Sequence, residues 1–218
     1  MTSERSGDDV ISGFHGPSGP ARTDLSLSVA AEGAARPFSS DEFERLIAIG
    51  LFADDDRCEL LDGDIISMAA LGSRHIACVN RLVSELVRAA GALSIVSPQN
   101  AIRLDDRTEP IPDLVLLRKR DDYYERELAQ PHDVLLLIEV SDTTLNYDRT
   151  YKLPAYARNG IQEVWLVNLP DEMIEIYTEP LEKFYRATTR LRRGDSLTPM
   201  QLPAVTLQVN DILGKVRG

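Results

Sequence analysis

The pattern of apolar and polar positions divides the chain at about residue 37. Residues 1–37 are rich in Gly, Ser, Pro and Ala, and the stretch "SGFHGPSGPARTD" holds no period. Such a segment cannot bury enough apolar surface to offset its ordering entropy, so it reads as a flexible tail with His15 solvated in it. Patterned chain begins at "PFSSDEFERLIAIG". Ser39 with Glu42 three residues on forms a capping box, Phe43, Leu46 and Ile47 share a helical face, and Gly50 is a stop. "RCELLDGDIISMA" sets two short apolar runs around Asp62-Gly63, a β-hairpin signal. "SRHIACVNRLVSELVRAAG" has the helical period, with Ile76, Val79, Leu82, Val83 and Leu86 as its stripe and Gly91 as its end.

The strand signals follow. "LSIVSPQNAIRLDD" predicts a strand, a turn and more extended chain, and "EPIPDLVLLRKR" a strand with a carboxylate near its start. "VLLLIEVS" lacks polar alternation and predicts a strand buried on both faces. Tyr147 to Asn159 reads as a helix closed by Gly160. Pro154 inside it should either kink the helix or mark the first turn of a shorter one. "QEVWLVNL" is a further strand, and the rest alternates like antiparallel strands with turns at Glu179-Pro180 and Gly194-Asp195. The order predicts an α/β sandwich with a mixed sheet, the strands of Asp113 and Glu139 lying near its centre.

The chain has 218 residues, 43% of them hydrophobic, enough for one domain of ordinary size with a real core. Its 24 Lys and Arg against 35 Asp and Glu give a net charge of −11, which opposes non-specific nucleic-acid binding but not a local basic patch. Cys58 and Cys78 are not spaced as a metal pair and read as reduced thiols. No apolar run approaches the roughly 18 residues of a membrane span, and no basic start precedes an apolar stretch, so the expectation is a cytoplasmic protein off the membrane.

The candidate chemistry lies in "LLLIEVSDTTLNYDRTYKLPAYARNGIQEVWLVNL". Glu139 stands in an apolar strand, on one face with Leu137 and Ser141. A carboxylate there is costly unless paired or metal-bound. Asp113, directly after Pro112, has a similar place on the preceding strand. If the strands are adjacent, the two carboxylates converge on one point. Such a hard-oxygen pair suits magnesium, for which manganese can substitute, with the main-chain carbonyl of Val140 as a further ligand. Lys152 is the third member, an ammonium able to orient a metal-bound water and stabilise transition-state charge. Asp148 and Tyr156 share its helix face. Simpler readings compete: Asp113 as a turn residue, Glu139 paired with a buried arginine, Asp148–Lys152 as a surface ion pair worth a few tenths of a kcal/mol.

These residues resemble the PD-(D/E)XK nuclease superfamily and, within it, the Uma-two family of restriction-endonuclease-like proteins. The resemblance runs over roughly Phe38 to Ile212, most specifically in "CELLDGDIISM", "SRHIACVNRLVSEL", "IPDLVLL" and the stretch quoted above. It implies a restriction-endonuclease-like three-layer core, with a central mixed sheet flanked by helices and antiparallel hairpins besides. It implies Asp113 and Glu139 as metal-binding acids. The superfamily's lysine position is Ser141 here, and Lys152 on the next helix replaces it, a variation the family knows. Glu59 and His75 match positions kept near the site. Glu59 could equally be a hairpin acid facing solvent. His75 could make a local hydrogen bond, or contact phosphate or Glu139. Asn168 stands where the family commonly has aspartate, at the far end of a strand, with little expected effect on chemistry. Trp165 reads as core rather than as a base-stacking platform.

The expectation is a magnesium-dependent endonuclease acting on DNA, with "RKR" at 118–120 and Arg190, Arg192 and Arg193 available to hold the backbone. A nuclease fold retained as a silent binding module is the alternative, as is a nuclease acting on RNA. Cutting of duplex would favour a homodimer presenting two sites.

Overall fold

The computed structural model describes residues 36–53, 56–68 and 70–215. The predicted tail up to residue 35 lies outside the described residues. Helix α1 (Ser40–Ala48) carries the expected capping box, with Ser39 and Glu42 each bonding the other's backbone N–H. Its inward face is narrower than predicted: Phe43 is buried but Ile47 is exposed. Strands β1 (Cys58–Leu61) and β2 (Asp64–Ser67) form a hairpin. Its two-residue turn has positive φ at both Asp62 (54°) and Gly63 (86°), the conformation an Asp-Gly turn supplies.

Helix α2 (Ser73–Ala90) buries His75, Cys78, Val79, Leu82, Leu86 and Ala90. This stripe is rotated from the predicted one, and Ile76 is exposed. Its inward face follows the four-residue steps 78–82–86–90, and its small and polar members carry no hydropathy signal.

One six-stranded sheet orders the domain: β3 (Ile95–Pro98), β4 (Leu114–Leu117), β5 (Val134–Ser141), β6 (Glu163–Asn168), β7 (Met173–Leu181) and β8 (Phe184–Arg192), adjacent in that order. Only β5 and β6 pair in parallel, so the sheet is mixed as expected. A parallel pair needs a crossover, and the helical segment 145–158 supplies it. β4 and β5 are adjacent and antiparallel near the sheet's centre. β5 is buried along its whole length because core clusters lie on both faces. One holds Leu136, Ile138, Val140 and Trp165 with α2 and the short α5 (Val209–Leu213). The other holds Leu137, Val164, Leu153 and Tyr156. Strands β9 (Ser196–Leu197) and β10 (Leu207–Gln208) make a small separate hairpin.

The turn expected at Glu179-Pro180 is not one. Both residues lie inside β7, and the chain reverses at Glu182–Lys183. A positive φ at Glu179 (59°) lets the strand continue past the proline. Trp165 is wholly buried, as core.

The segment Tyr147–Asn159 is three pieces rather than one helix: α3 (Leu145–Tyr147), a π turn (Asp148–Lys152) and α4 (Leu153–Arg158). The Leu153 N–H reaches back five residues to the Asp148 carbonyl. Pro154 follows in the first turn of α4. Proline has no N–H, so position 154 contributes neither a five-residue nor a four-residue bond where the π turn passes into α4. α4 ends as predicted. Gly160 has φ +73°, its N–H bonds the Ala157 carbonyl and that of Ile161 bonds Tyr156, a Schellman pair with Ile161 buried against the core.

Candidate active site

Asp113 sits at the bend leading into β4. The pairing of Leu114 with Ile138 places it opposite Glu139. Its Oδ2 accepts the backbone N–H of Val140 at 2.8 Å and meets His75 Nε2 at 2.9 Å. The Asp113 side chain therefore locks onto β5 itself. Oδ1 has no hydrogen bond among the described residues and is not sealed in by protein. His75 thus contacts Asp113, not Glu139. It projects from the first turn of α2 onto the strand ends, and its Nδ1 is buried without a partner among the described residues. The contact seen from Val140 is through its N–H rather than its carbonyl.

Glu139 is 3% exposed and Lys152 3%. Lys152 Nζ lies 3.2 Å from Glu139 Oε1 and 3.1 Å from Glu59 Oε2. Tyr156 Oη donates to the same Glu139 oxygen. Glu139 Oε2 makes no hydrogen bond among the described residues and, like Asp113 Oδ1, is not sealed in. Glu59 does not face solvent. At 1% exposure, its Oε2 also accepts the Ile111 N–H at 3.1 Å, and its Oε1 accepts Tyr147 Oη at 3.1 Å. Both its oxygens are engaged by protein.

The electrostatics are lopsided. Glu139, Glu59, Asp148 and Asp113 all act on the single buried ammonium of Lys152. Burial opposes that charge, but the carboxylates outweigh it and hold the lysine's pKa above its ordinary value. Burial pushes Glu139 up to about 8, against the pull of Lys152 and with the help of Asp148 and Asp113. Ionising Glu139 beside these acids is therefore costly, and a cation at the site would lower that cost. No cluster of three or more His, Cys, Asp or Glu side chains suited to a metal occurs among the described residues. The acids offer a two-carboxylate site, the kind magnesium takes with several waters retained.

The π turn aims the lysine. Asp148 and Lys152 are four apart, yet they form no direct ion pair. Asp148 instead accepts Ser141 Oγ and Thr144 Oγ1, both at 2.7 Å. The surface-pair reading of Asp148–Lys152 fails because both side chains are buried. Ser141 holds the start of the π turn that carries Lys152. Asp148, Tyr147 and Thr144 take part in the site's frame. Of these, the sequence marks only Asp148, by its spacing. Tyr147 and Thr144 give no signal, because their partners are distant or depend on the π turn.

The other expected residues divide. "RKR" at 118–120 follows the end of β4 remote from Asp113, and Arg120 is taken up by Asp122 and Glu127. Arg193 is held by Glu172 and the Gly214 carbonyl. Asn168 donates to Asp171 at 3.0 Å and to buried Glu175 at 3.1 Å, while Arg149 and Tyr177 also bond Glu175. Amide in place of carboxylate is what this crowd of acids accommodates.

A family model described as "Uma2: Putative restriction endonuclease" matches residues 40–210. Among solved structures, the chain is similar to the crystal structure of a putative nuclease belonging to DUF820 from Anabaena variabilis. The TM-score is 0.61 at 17% identity, over 81% of this chain and 98% of that one. At that identity the likeness speaks for the fold, the nuclease-like mixed α/β architecture expected from sequence. No curated protein matches.

Proposed function

The chain belongs to the Uma2 putative restriction endonuclease family, and from that premise we propose that it is a metal-dependent endonuclease hydrolysing phosphodiester bonds in DNA. One observation carries the reading. Asp113 and Glu139 meet at the ends of adjacent strands, each with one oxygen held by protein and the other left open, beside a buried lysine.

The residues fit a magnesium ion, or manganese in its place. The open oxygens Asp113 Oδ1 and Glu139 Oε2 would hold it, with the Val140 carbonyl as a further candidate. Such an ion supplies Lewis-acid relief of phosphoryl charge and a more acidic water. The protein's own groups do the rest. His75 and the Val140 N–H fix one Asp113 oxygen, and Tyr156 and Lys152 fix one Glu139 oxygen, so both open oxygens are pre-oriented. Lys152 has three N–H donors, of which Glu59 and Glu139 take two. No partner among the described residues takes the third, which would serve the attacking water or a phosphoryl oxygen. With its pKa raised, Lys152 works as a fixed positive charge and not as a general base. Glu59 is a positioning residue for Lys152.

The test is cleavage of supercoiled and linear DNA, and of RNA, in magnesium and in manganese, together with manganese calorimetry. Asp113→Asn should lose both binding and cutting. Cutting by Glu139→Ala at the wild-type rate would sink the reading.

A further inference from the structure

An acidic nuclease needs somewhere to hold a polyanion. The stretch from Lys183 to Gly194 carries Lys183, Arg186, Arg190, Arg192 and Arg193 and no acid, in a chain of net charge −11. Elsewhere most arginines are spoken for: Arg36 by Glu42, Arg88 by Glu85, Arg103 by Asp41, Glu44 and Glu109, Arg120 by Asp122 and Glu127, Arg158 by Asp62. Arg186 and Arg190 make no hydrogen bond or ion pair among the described residues, and both are exposed.

Their placement is set by the sheet. β8 is an edge strand with β7 on one side only. Alternation puts Thr188, Arg190 and Arg192 on one face, all exposed; Arg186, also exposed, comes next along the strand, where the ladder skips Glu179 and Tyr185 packs with Tyr177. The register links Glu139 to Leu166, Leu166 to Glu175 and Glu175 to Arg190, and registered partners share a face. Arg190 therefore stands on the same face as Glu139 and in line with it, three strand spacings or about 14 Å away. Glu175, opposite Arg190, does not neutralise it, because Arg149, Asn168 and Tyr177 already occupy that buried carboxylate. The stripe is unfavourable for a second copy of the chain. Two β8 strands paired antiparallel about Thr188 would set Arg186 against Arg190, like charge against like.

We propose that β8, through Arg186 and Arg190 with Arg192 at its end, is the tract that holds the phosphate backbone of the nucleic acid leading to the Asp113–Glu139–Lys152 site. The proposal rests on the nuclease reading and adds the side from which substrate is held. The test compares the Arg186→Gln/Arg190→Gln double variant with Lys119→Gln/Arg126→Gln, a control that removes exposed cations near the far end of β4. The probes are a labelled 30-nucleotide single strand and a 30-base-pair duplex of DNA, titrated in calcium at several salt concentrations. The β8 variant should bind roughly tenfold or more weakly, with the slope of log K against log salt reduced by about 2, one unit for each phosphate no longer neutralised. The control should bind like wild type.

Equal loss in both variants, an unchanged slope, or no binding by wild type at all overturns the tract. So does a wild-type dimer in solution that the β8 variant dissolves, which would give the strand to a second copy. Cleavage in magnesium and manganese is read separately. If wild type binds through β8 but cuts with neither metal, the tract stands and the nuclease reading falls. If wild type cuts and the β8 variant binds and cuts equally well, the tract falls alone.

Discussion

Lys152 on the crossover segment and Glu59 on the first hairpin are joined by a buried ion pair of 3.1 Å. That pairing ties the helical crossover to the hairpin and holds the ammonium together with Glu139. Removing Glu59 leaves Lys152 paired with Glu139 but strands the Ile111 N–H and the Tyr147 hydroxyl, at a cost of about 1–3 kcal/mol for each buried donor left unmatched. Glu59→Ala should therefore lower the urea midpoint strongly. Glu59→Gln keeps an acceptor for Lys152 and loses less stability, while cleavage falls roughly tenfold or more because the lysine is less firmly placed. Equal stability of the two variants would contradict the pairing.

The open oxygens of Asp113 and Glu139 make a finer prediction. Asparagine at 113 can still accept from Val140 and His75 through its carbonyl, which turns its amide toward the open position. Glutamine at 139 can likewise accept from Lys152 and Tyr156. Both variants should fold, shown by circular dichroism and melting temperature, yet lose manganese binding by calorimetry. Lys152→Met should keep measurable manganese binding while losing about 10²–10³ in rate, the scale of one preorganised charge-stabilising donor. Loss of metal binding in Lys152→Met but not in Asp113→Asn would reverse the roles of the lysine and the acid.

Much of this was legible because strand chemistry is local. The apolar run of β5 with one acid in it, the Asp-Gly turn and the Ser39 capping box each need only neighbouring residues. The convergence of Asp113 with Glu139 required only that β4 and β5 be adjacent. What escaped depended on distant partners or on backbone register. The burial of Glu59 needs Tyr147 and Ile111. The true stripe of α2 includes His75, which no hydropathy count places inward. Pro154 marked a break, but a π turn and a kink look the same in sequence. The turn at Glu182–Lys183 was masked by the more conspicuous Glu179-Pro180.

Asn168 predicts a pH-dependent change in stability. Burial pushes Glu175 up, but Tyr177, Asn168 and Arg149 outweigh it, and its pKa lies below the ordinary value. A carboxylate with a lowered folded pKa contributes stability above its unfolded pKa and loses it as pH falls through the folded one. Asn168→Asp removes one donor to Glu175 and sets a third carboxylate beside Glu175 and Asp171. The variant should lose about 1–3 kcal/mol at pH 7. The deficit should shrink as pH falls through about 4, where the carboxylates take up protons. Urea melts at pH 7, 5 and 4 check the sign. A deficit constant across them would mean that the amide acts only by shape.

Pro154 carries the last prediction. The residue that follows the last five-residue bond, from the Leu153 N–H to the Asp148 carbonyl, is Pro154, which has no N–H to extend that bonding. Alanine at 154 restores the donor and removes the ring that crowds the carbonyl four residues back, so an ordinary α-turn becomes accessible through Asp148–Lys152. Taking up that turn would rotate Lys152 relative to Leu153 and draw its ammonium away from Glu59 and Glu139. Pro154→Ala should thus keep the fold while cleavage falls roughly tenfold or more and manganese affinity stays close to wild type. Pro154→Gly, with the same restored donor but poor helix propensity, should retain more activity than alanine. If alanine and proline cut equally well, the proline serves only to stop the turn and does not aim the lysine.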